Sequence, residues 1–140
     1  LIVGAYHLKT DGPGGKYLIE PFHENGELVT KNGMIKVRSA ATGFMCIKRT
    51  VFEKMISQYP DILYQGSTDS PAWAFFHCSL RKLRVHDKNI WFGEDIDFCH
   101  KWVAMGGDIW CDPDITIRHA GQKVWECNLS EQIKNEGISL

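Results

Sequence analysis

Residues 92–115, FGEDIDFCHKWVAMGGDIWCDPDI, hold the clearest local signals in the chain. Apolar residues recur at helical spacing between Ile96 and Met105, and Gly106-Gly107 is a typical helix stop, so a helix is predicted over 94–105. A short strand over 108–111 and a turn at 112–114 come next. With the strands predicted on either side, this stretch indicates an α/β fold, a mixed β-sheet with flanking helices.

Upstream of this stretch, the sequence predicts mostly short strands and turns. The predicted strands cover residues 1–8, 17–19, 27–30 and 34–38, and a central strand covers 40–48. Clusters of Gly, Asn and Pro predict turns at 11–15, 23–26 and 31–33.

The remaining segments carry weaker signals. Thr50 and Glu53 match a capping box, which predicts a helix that reaches Gln58. Residues 59–72 are polar and are predicted to form a mobile loop. Strands near 72–78 and 83–86 are predicted to pair as an irregular hairpin. Alternating Ile115 and Ile117 lead to His119, and a last amphipathic helix is predicted near 129–135.

The composition is that of one globular domain. The 140 residues carry a net charge of −1, so the basic footprint of a nucleic-acid-binding protein is absent. No apolar run approaches about 18 residues, so no membrane span is expected. No secretion leader is visible, and reduced thiols would place the protein in the cytoplasm. Five cysteines at irregular spacing predict reduced, mostly buried thiols rather than a zinc site.

The first turn of the helix over 94–105 carries three acids in different surroundings. Glu94, Asp97 and Lys101 lie on the solvated side opposite the apolar rows, and Asp97 can pair with Lys101 at i+4. Asp95 instead faces the packed side or a cleft beside it. Its i+3, i+4 and i+7 neighbours are Phe98, Cys99 and Trp102. Asp95 can therefore cap free N–H groups, or act as a general base whose basicity is raised by partial desolvation.

Residues on either side of these acids are further candidates. Trp91-Phe92 suits a platform on which a sugar stacks, and it suits core packing equally well. His119 ends a strand and is either structural or a metal ligand, because imidazole with carboxylates suits Mn²⁺ or Mg²⁺. Lys123 can neutralise a phosphate or be a solvated surface lysine.

Two Asp-x-Asp matches are not expected to bind a metal-diphosphate. Asp95 and Asp97 lie on one helix, where residues two apart diverge by about 200° around the axis. Asp112-Pro113-Asp114 is most simply a proline turn.

Three segments resemble glycosyltransferases of the A-type fold, particularly their large inverting family. The segments are ATGFMCIKRTVFEKM (41–55), FGEDIDFCHKWVAMGGDIWCDPDI (92–115) and HAG (119–121). They occur in the family's order, and the resemblance extends from residue 41 onward. The combination of G-F-M-x-I-K-R, G-E-D-x-x-F-C, G-G-x-I-W-x-D-P and H-x-G is more specific than any one of these motifs alone.

The resemblance implies roles for individual residues. Asp95 corresponds to the base that deprotonates the acceptor hydroxyl, and Glu94 to its neighbour in binding or positioning. His119 corresponds to a ligand of the metal that holds the sugar-nucleotide diphosphate. Thr42-Gly43 corresponds to a segment near the donor sugar. The full set of predicted substrate-binding residues is Thr42, Gly43, Trp91, Phe92, Gly93 and Lys123.

The implied activity is transfer of a sugar from a nucleoside-diphosphate sugar to the hydroxyl of a glycan or other acceptor. The reaction would depend on Mn²⁺ or Mg²⁺ and invert the anomeric carbon. Such enzymes begin with a nucleotide-binding half that closes with Asp-x-Asp, and no such pattern precedes residue 40. The chain, residues 1–140, is therefore expected to be a single domain from the C-terminal, acceptor-side part of a larger glycosyltransferase.

Two other functions remain open on the sequence. A metal-dependent phosphoester or sugar-nucleotide hydrolase would use Glu94, Asp95, Asp112 and His119. A non-catalytic glycan-binding or assembly module would use Trp91 and Phe92 as its contact.

Overall fold

A computed structural model of the chain describes residues 1–6, 16–67, 70–82, 88–120 and 124–137, with the backbone alone for residues 119, 120, 124, 125 and 127. The strands are β1 (Ile2–Gly4), β2 (Ile19–Pro21), β3 (His23–Glu24), β4 (Glu27–Leu28), β5 (Thr30–Lys31), β6 (Met34–Ala40), β7 (Met45–Cys46), β8 (Leu63–Gln65), β9 (Pro71–Trp73), β10 (Ser79–Lys82), β11 (Asn89–Phe92), β12 (Ile109–Asp112), β13 (Ile117–Ala120) and β14 (Val124–Cys127). The α-helices are α1 (Arg49–Gln58), α2 (Glu94–Ala104) and α3 (Leu129–Asn135), and short 3₁₀ helices cover Thr42–Phe44 and Pro60–Ile62.

Over these residues the fold is mixed α/β, with one mixed six-stranded sheet and three α-helices, which confirms the predicted fold class at this level. The chain divides into two compact units. Residues 1–46 with 108–140 form the sheet unit, and residues 47–107 form the ribbon unit. No helix among the described residues is long and apolar enough to cross a membrane. The prediction of one domain within a larger glycosyltransferase stays a prediction.

The sheet unit is built on the strand order β2-β6-β12-β1-β7, and β5 also pairs with β6. Strands β1 and β12 run parallel, whereas the other pairs of this sheet are antiparallel. Side chains alternate between the two faces of a strand, so alternate apolar residues can share one buried side. The most buried of them are Val3, Ile35, Val37, Ile109 and Cys111, each at most 1% exposed.

Helix α3 lies in the sheet unit and forms where the sequence predicts it. The side chain of Asn128 caps its first turn by accepting a hydrogen bond from the Glu131 N–H (3.1 Å). Leu129 and Ile133 are buried, whereas Glu131 and Lys134 are exposed. The amphipathic character predicted for this helix is confirmed.

Two hairpin turns in the sheet unit come from Asn-Gly pairs. Asn25-Gly26 and Asn32-Gly33 have positive φ at both residues, which is the geometry of a type I′ turn. The first joins β3 to β4, and the second joins β5 to β6. Both turns are predicted, but the first is narrower than predicted, because His23–Glu24 form a strand paired with β4.

The ribbon unit combines helices α1 and α2 with two antiparallel ribbons, β8–β9 and β10–β11. Aromatic contacts join them. The ring of Phe75 meets Phe52 of α1 edge to face at 4.8 Å, and the ring of Phe76 stacks on Phe98 of α2 at 4.5 Å. Phe98 is completely buried. The segment between β9 and β10 is therefore held against both helices.

Two predictions for residues 40–58 are wrong. Strand β6 ends at Ala40, and a 3₁₀ turn separates it from the edge strand β7, so 40–48 is not a central strand. Helix α1 begins at Arg49 with Lys48 as its N-cap and no side-chain cap. Glu53 accepts a hydrogen bond from Arg49 Nε (3.1 Å) instead of reaching back to Thr50. The capping box fails because the helix starts before Thr50.

Two predictions for residues 59–86 also fail. Residues 59–72 contain a 3₁₀ turn and strand β8 and are not a loop throughout. Strand β9 covers only Pro71–Trp73 and pairs with β8, so the predicted strand over 72–78 is wrong, and its predicted pairing with 83–86 falls on residues that are not described. Residues 75 and 76 leave the ribbon because their rings pack on the helices. Residues 83–87 lie outside the described residues.

Four cysteines have described side chains, and all four are free thiols. Cys99 and Cys111 are buried, whereas Cys46 and Cys78 are exposed, so the expectation that most thiols are buried holds for only two of the four. Burial, with the neighbouring Asp112 carboxylate, raises the pKa of Cys111 to about 12. The side chain of Cys127 lies outside the described residues.

A Gly43→Ala substitution tests a close contact in the 3₁₀ turn of the sheet unit. A β-carbon at Gly43 would lie 2.5 Å from Cε1 and 2.6 Å from the hydroxyl oxygen of Tyr6. We expect the free energy of unfolding to fall by about 1–3 kcal/mol, the usual cost of overpacking, in urea denaturation. Thr42→Ala, at the exposed neighbouring position, should change it by less than about 0.5 kcal/mol. An unchanged value for Gly43→Ala would show that the Tyr6 ring moves aside freely.

Candidate functional site

Asp95 lies in the first turn of α2, two residues after the N-cap residue Gly93, which has no side chain to cap the helix. The Asp95 Oδ1 atom accepts a hydrogen bond from the Ile96 N–H (2.8 Å), so the side chain supplies an acceptor for a free backbone donor. The side chain is half-buried. Within the described part of the chain, this is the hydrogen bond that the Asp95 carboxylate makes.

The Asp95 carboxylate and the indole ring of Trp91 approach the same point in space. A β-carbon placed on Gly93 would lie 3.5 Å from Asp95 Oδ1 and 3.8 Å from the ring carbons Cη2 and Cζ3 of Trp91. Trp91 is 64% exposed. Because Gly93 has no side chain, this space stays open. The turn from β11 to α2 therefore places an exposed aromatic ring beside a carboxylate.

Glu94 and Phe92 occupy different environments beside Asp95. Glu94 is exposed, and its Oε2 accepts a hydrogen bond from the Cys78 thiol (3.6 Å). Desolvation and the neighbouring Glu94 carboxylate raise the pKa of Cys78. Phe92 is buried, with its ring 5.1 Å from the His100 ring and 4.6 Å from the Arg81 guanidinium. The predicted part of Phe92 in acceptor binding stays a prediction.

Asp97 lies at the centre of a buried ion cluster, which corrects the prediction that it faces solvent. Its side chain is completely buried. It accepts a hydrogen bond from the Ser79 hydroxyl, and it forms ion pairs with Arg81 Nη2 (2.8 Å) and Lys101 Nζ (2.9 Å). The predicted i,i+4 pair with Lys101 is confirmed. The sequence missed Ser79 and Arg81 because they belong to β10, whose pairing with β11 turns them toward α2.

The His77 ring lies beside this cluster, with its Nε2 atom 3.9 Å from Asp97 Oδ2. Its Nδ1 lies 2.8 Å from the Ala74 carbonyl oxygen, so Nδ1 carries the proton and donates it. Its Nε2 then accepts from Lys101 Nζ at 3.0 Å. A proton on Nε2 would oppose the Lys101 ammonium group. The cluster therefore holds two cations, Arg81 and Lys101, around one carboxylate.

The pKa of Asp97 reflects opposing effects. Burial alone raises it, but the Ser79 hydrogen bond and the charges of Lys101 and Arg81 lower it further than burial raises it. The net pKa lies below the ordinary value for aspartate. The ionised form is thus favoured by folding, and the cluster is a structural element that joins α2 to β10.

The other predicted site residues lie elsewhere in the chain. Thr42 and Gly43 are exposed on the 3₁₀ turn of the sheet unit, where Gly43 makes room for Tyr6. The backbone of His119 belongs to β13 and pairs with Trp125, and its side chain lies outside the described residues. Lys123 also lies outside them. Among the predicted residues, the structure brings Trp91, Gly93 and Asp95 together.

The Asp112-Pro113-Asp114 segment is a turn, as the sequence predicts. The Asp114 N–H donates to Asp112 Oδ1 (3.0 Å), and Pro113 is buried. The described residues contain no group of three or more His, Cys, Asp or Glu side chains that could hold a metal ion. The Mn²⁺ or Mg²⁺ that the resemblance implies stays a prediction, because the side chain of its proposed ligand His119 lies outside the described residues.

Comparison with known proteins adds no family assignment. No protein-family model, no curated protein and no solved structure matches the chain. The candidate site therefore consists of the turn from β11 to α2, which carries Trp91 and the G-E-D motif.

An Asp97→Asn substitution tests the ion cluster. Removing one partner of a buried ion pair typically costs about 3–5 kcal/mol, because the remaining charges stay buried and unpaired. We expect a loss of this size in the free energy of unfolding at pH 7, measured by urea denaturation. Asp61→Asn, at an exposed acid of the same unit, should change it by less than about 0.5 kcal/mol.

The stability difference between wild type and Asp97→Asn should also depend on pH. Because folding lowers the pKa of Asp97, its stabilisation is fully present above the unfolded-state pKa, about 3.9, and is lost as the pH falls through the folded-state pKa. The difference should stay constant from pH 7 to about pH 5 and shrink below about pH 4. A difference that grows toward low pH would contradict this assignment.

Proposed function

We propose that the chain is the acceptor-side part of a glycosyltransferase, which transfers a sugar from a nucleoside-diphosphate sugar to an acceptor hydroxyl. The observation that carries this proposal is the pairing of an exposed Trp91 ring with the Asp95 carboxylate around the open space at Gly93. An aromatic face binds the apolar side of a sugar ring, and a carboxylate beside it accepts a hydroxyl proton. The G-E-D motif of the resemblance covers this same turn.

The reaction follows from these two groups. The acceptor sugar stacks on Trp91 and directs one hydroxyl to the Asp95 carboxylate. As the hydroxyl oxygen forms its bond to the anomeric carbon of the donor, Asp95 takes the hydroxyl proton. The bond from that carbon to the diphosphate breaks on the opposite side, which inverts the configuration. The diphosphate leaves with the bonding electrons.

The donor side belongs to the same proposal. We propose that a divalent metal, Mn²⁺ or Mg²⁺, would bind the diphosphate with His119 as one of the metal's ligands. Lys123 would contact the same diphosphate. Thr42-Gly43 lies near the donor sugar in this assignment, and Glu94 supports Asp95. A nucleotide-binding half would supply the remaining donor contacts.

An Asp95→Asn substitution tests the base. Asparagine keeps an Oδ1 that can accept from the Ile96 N–H, so the start of α2 should stay intact. We expect transfer to fall by about 10²- to 10⁴-fold, the usual contribution of a general base, while donor binding stays within about twofold. The assay uses the longest natural form of the protein, a panel of uridine- and guanosine-diphosphate sugars, Mn²⁺ and a panel of glycan acceptors. Asp61→Asn is the control variant.

The same assay separates the other two functions. Undiminished transfer by Asp95→Asn would refute Asp95 as the base. Release of free sugar or phosphate without an acceptor would instead identify the hydrolase. Binding of glycans with no turnover of any donor would identify the non-catalytic module.

A His119→Ala substitution tests the metal assignment. The backbone of His119 pairs with Trp125 in the β13–β14 hairpin, and alanine can keep this pairing. We expect the Mn²⁺-dependent part of sugar-nucleotide binding to fall at least about tenfold, since even loss of a residue that orients a metal ligand costs about 10- to 100-fold. Calorimetry with and without a chelator measures it. Equal Mn²⁺ dependence in both proteins would remove His119 from the metal site.

A further inference from the structure

Both ribbons of the ribbon unit expose a tryptophan beside a leucine. In β10–β11, Leu80 lies directly opposite Trp91, and the two residues are 66% and 64% exposed. In β8–β9, Leu63 lies directly opposite Trp73, and they are 51% and 36% exposed. Residues directly opposite in an antiparallel pair share one face. Each ribbon therefore presents an apolar pair to the solvent.

An amide side chain lies on the same face as each apolar pair. Residues two apart on a strand share a face, so Asn89 lies on the face of Trp91, and Gln65 on the face of Leu63. Both amides are exposed. An amide offers two donors and an acceptor, which suits neighbouring hydroxyls. We call each tryptophan–leucine pair with its amide a plate. A plate is complementary to a sugar ring, because the C–H face of the sugar is apolar and its rim carries hydroxyl groups.

We propose that the acceptor is an oligosaccharide of β-linked hexoses that binds across both ribbons; this rests on the proposed function. The β10–β11 ribbon, next to Asp95, holds the sugar that reacts. The β8–β9 ribbon holds another sugar of the same chain. In β-linked hexoses with equatorial hydroxyls, successive rings present broad C–H faces, which are the surfaces that an indole ring covers.

The two ribbons are close enough in the chain to serve one oligosaccharide. Trp73 and Leu80 are seven residues apart, so their Cα atoms lie at most about 25 Å from each other. Between them, Phe75 packs on Phe52 and Phe76 stacks on Phe98. The link between the ribbons is therefore anchored to the two helices, and binding across both ribbons requires that their apolar pairs face the same glycan.

Two linked subsites predict a dependence of affinity on glycan length. A short glycan contacts one plate at a time. Once a longer glycan is bound at one plate, its other end meets the second plate at a high effective concentration, so affinity rises without any new kind of contact. The expected gain is about tenfold or more.

The experiment measures binding of β-1,4-linked glucose oligosaccharides of two and six sugars by calorimetry to the wild-type protein, without donor, so that no transfer can occur. We expect the six-sugar chain to bind about tenfold tighter or better. Trp73→Ala and Trp91→Ala should each reduce its affinity to that of the two-sugar chain. Tyr64→Ala removes an aromatic ring, 52% exposed, from the opposite face of β8–β9, and it should leave both affinities unchanged.

Several outcomes would overturn the inference. They are absence of binding by the whole series, equal affinity for both lengths, and an effect of Tyr64→Ala equal to that of Trp73→Ala. Self-association that both tryptophan variants abolish, without glycan binding, would identify a protein interface instead. Length-dependent binding in a protein that transfers no sugar would refute the proposed function alone. Transfer without length dependence would refute this inference alone.

Discussion

The buried Asp97 carboxylate is the constraint on which the ribbon unit depends. A charge removed from water needs close partners, and those of Asp97 come from Ser79 and Arg81 on β10 and from Lys101 on α2. Strand β10 pairs with β11, and β11 leads through Gly93 into α2. One buried ion thus holds both sides of the turn that carries Trp91 and Asp95, so the ring and the carboxylate keep their mutual geometry.

The three acids at the start of α2 therefore do different work although they are neighbours in sequence. Residues two apart on a helix diverge by about 200°, so Asp97 turns into the ion cluster while Asp95 stays at the open space beside Gly93. Glu94 is exposed and accepts from Cys78. The same geometry explains why Asp95-Ile96-Asp97 cannot act as a diphosphate-binding pair in this chain.

Local sequence patterns predicted the secondary structure correctly wherever a residue's neighbours along the chain decide its conformation. The apolar repeat and the Gly106-Gly107 stop placed α2, and two Asn-Gly pairs placed type I′ turns. They failed where distant contacts override them. The run over 40–48 is apolar enough for a central strand, yet it bends into a 3₁₀ turn at Gly43, against which Tyr6 packs. Thr50 is a residue type that favours the N-cap position, but helix α1 begins one residue earlier, at Arg49.

For the candidate site, the sequence by itself determined which residues meet at the turn from β11 to α2. Trp91, Gly93 and Asp95 are separated by single residues, so chain geometry alone keeps them close. Only the tertiary structure decided that Trp91 is exposed while Phe92 is buried, and that Asp97 is wholly desolvated. It also paired Leu80 with Trp91 and Leu63 with Trp73. Those features depend on strand register, which is set by contacts between residues far apart in sequence.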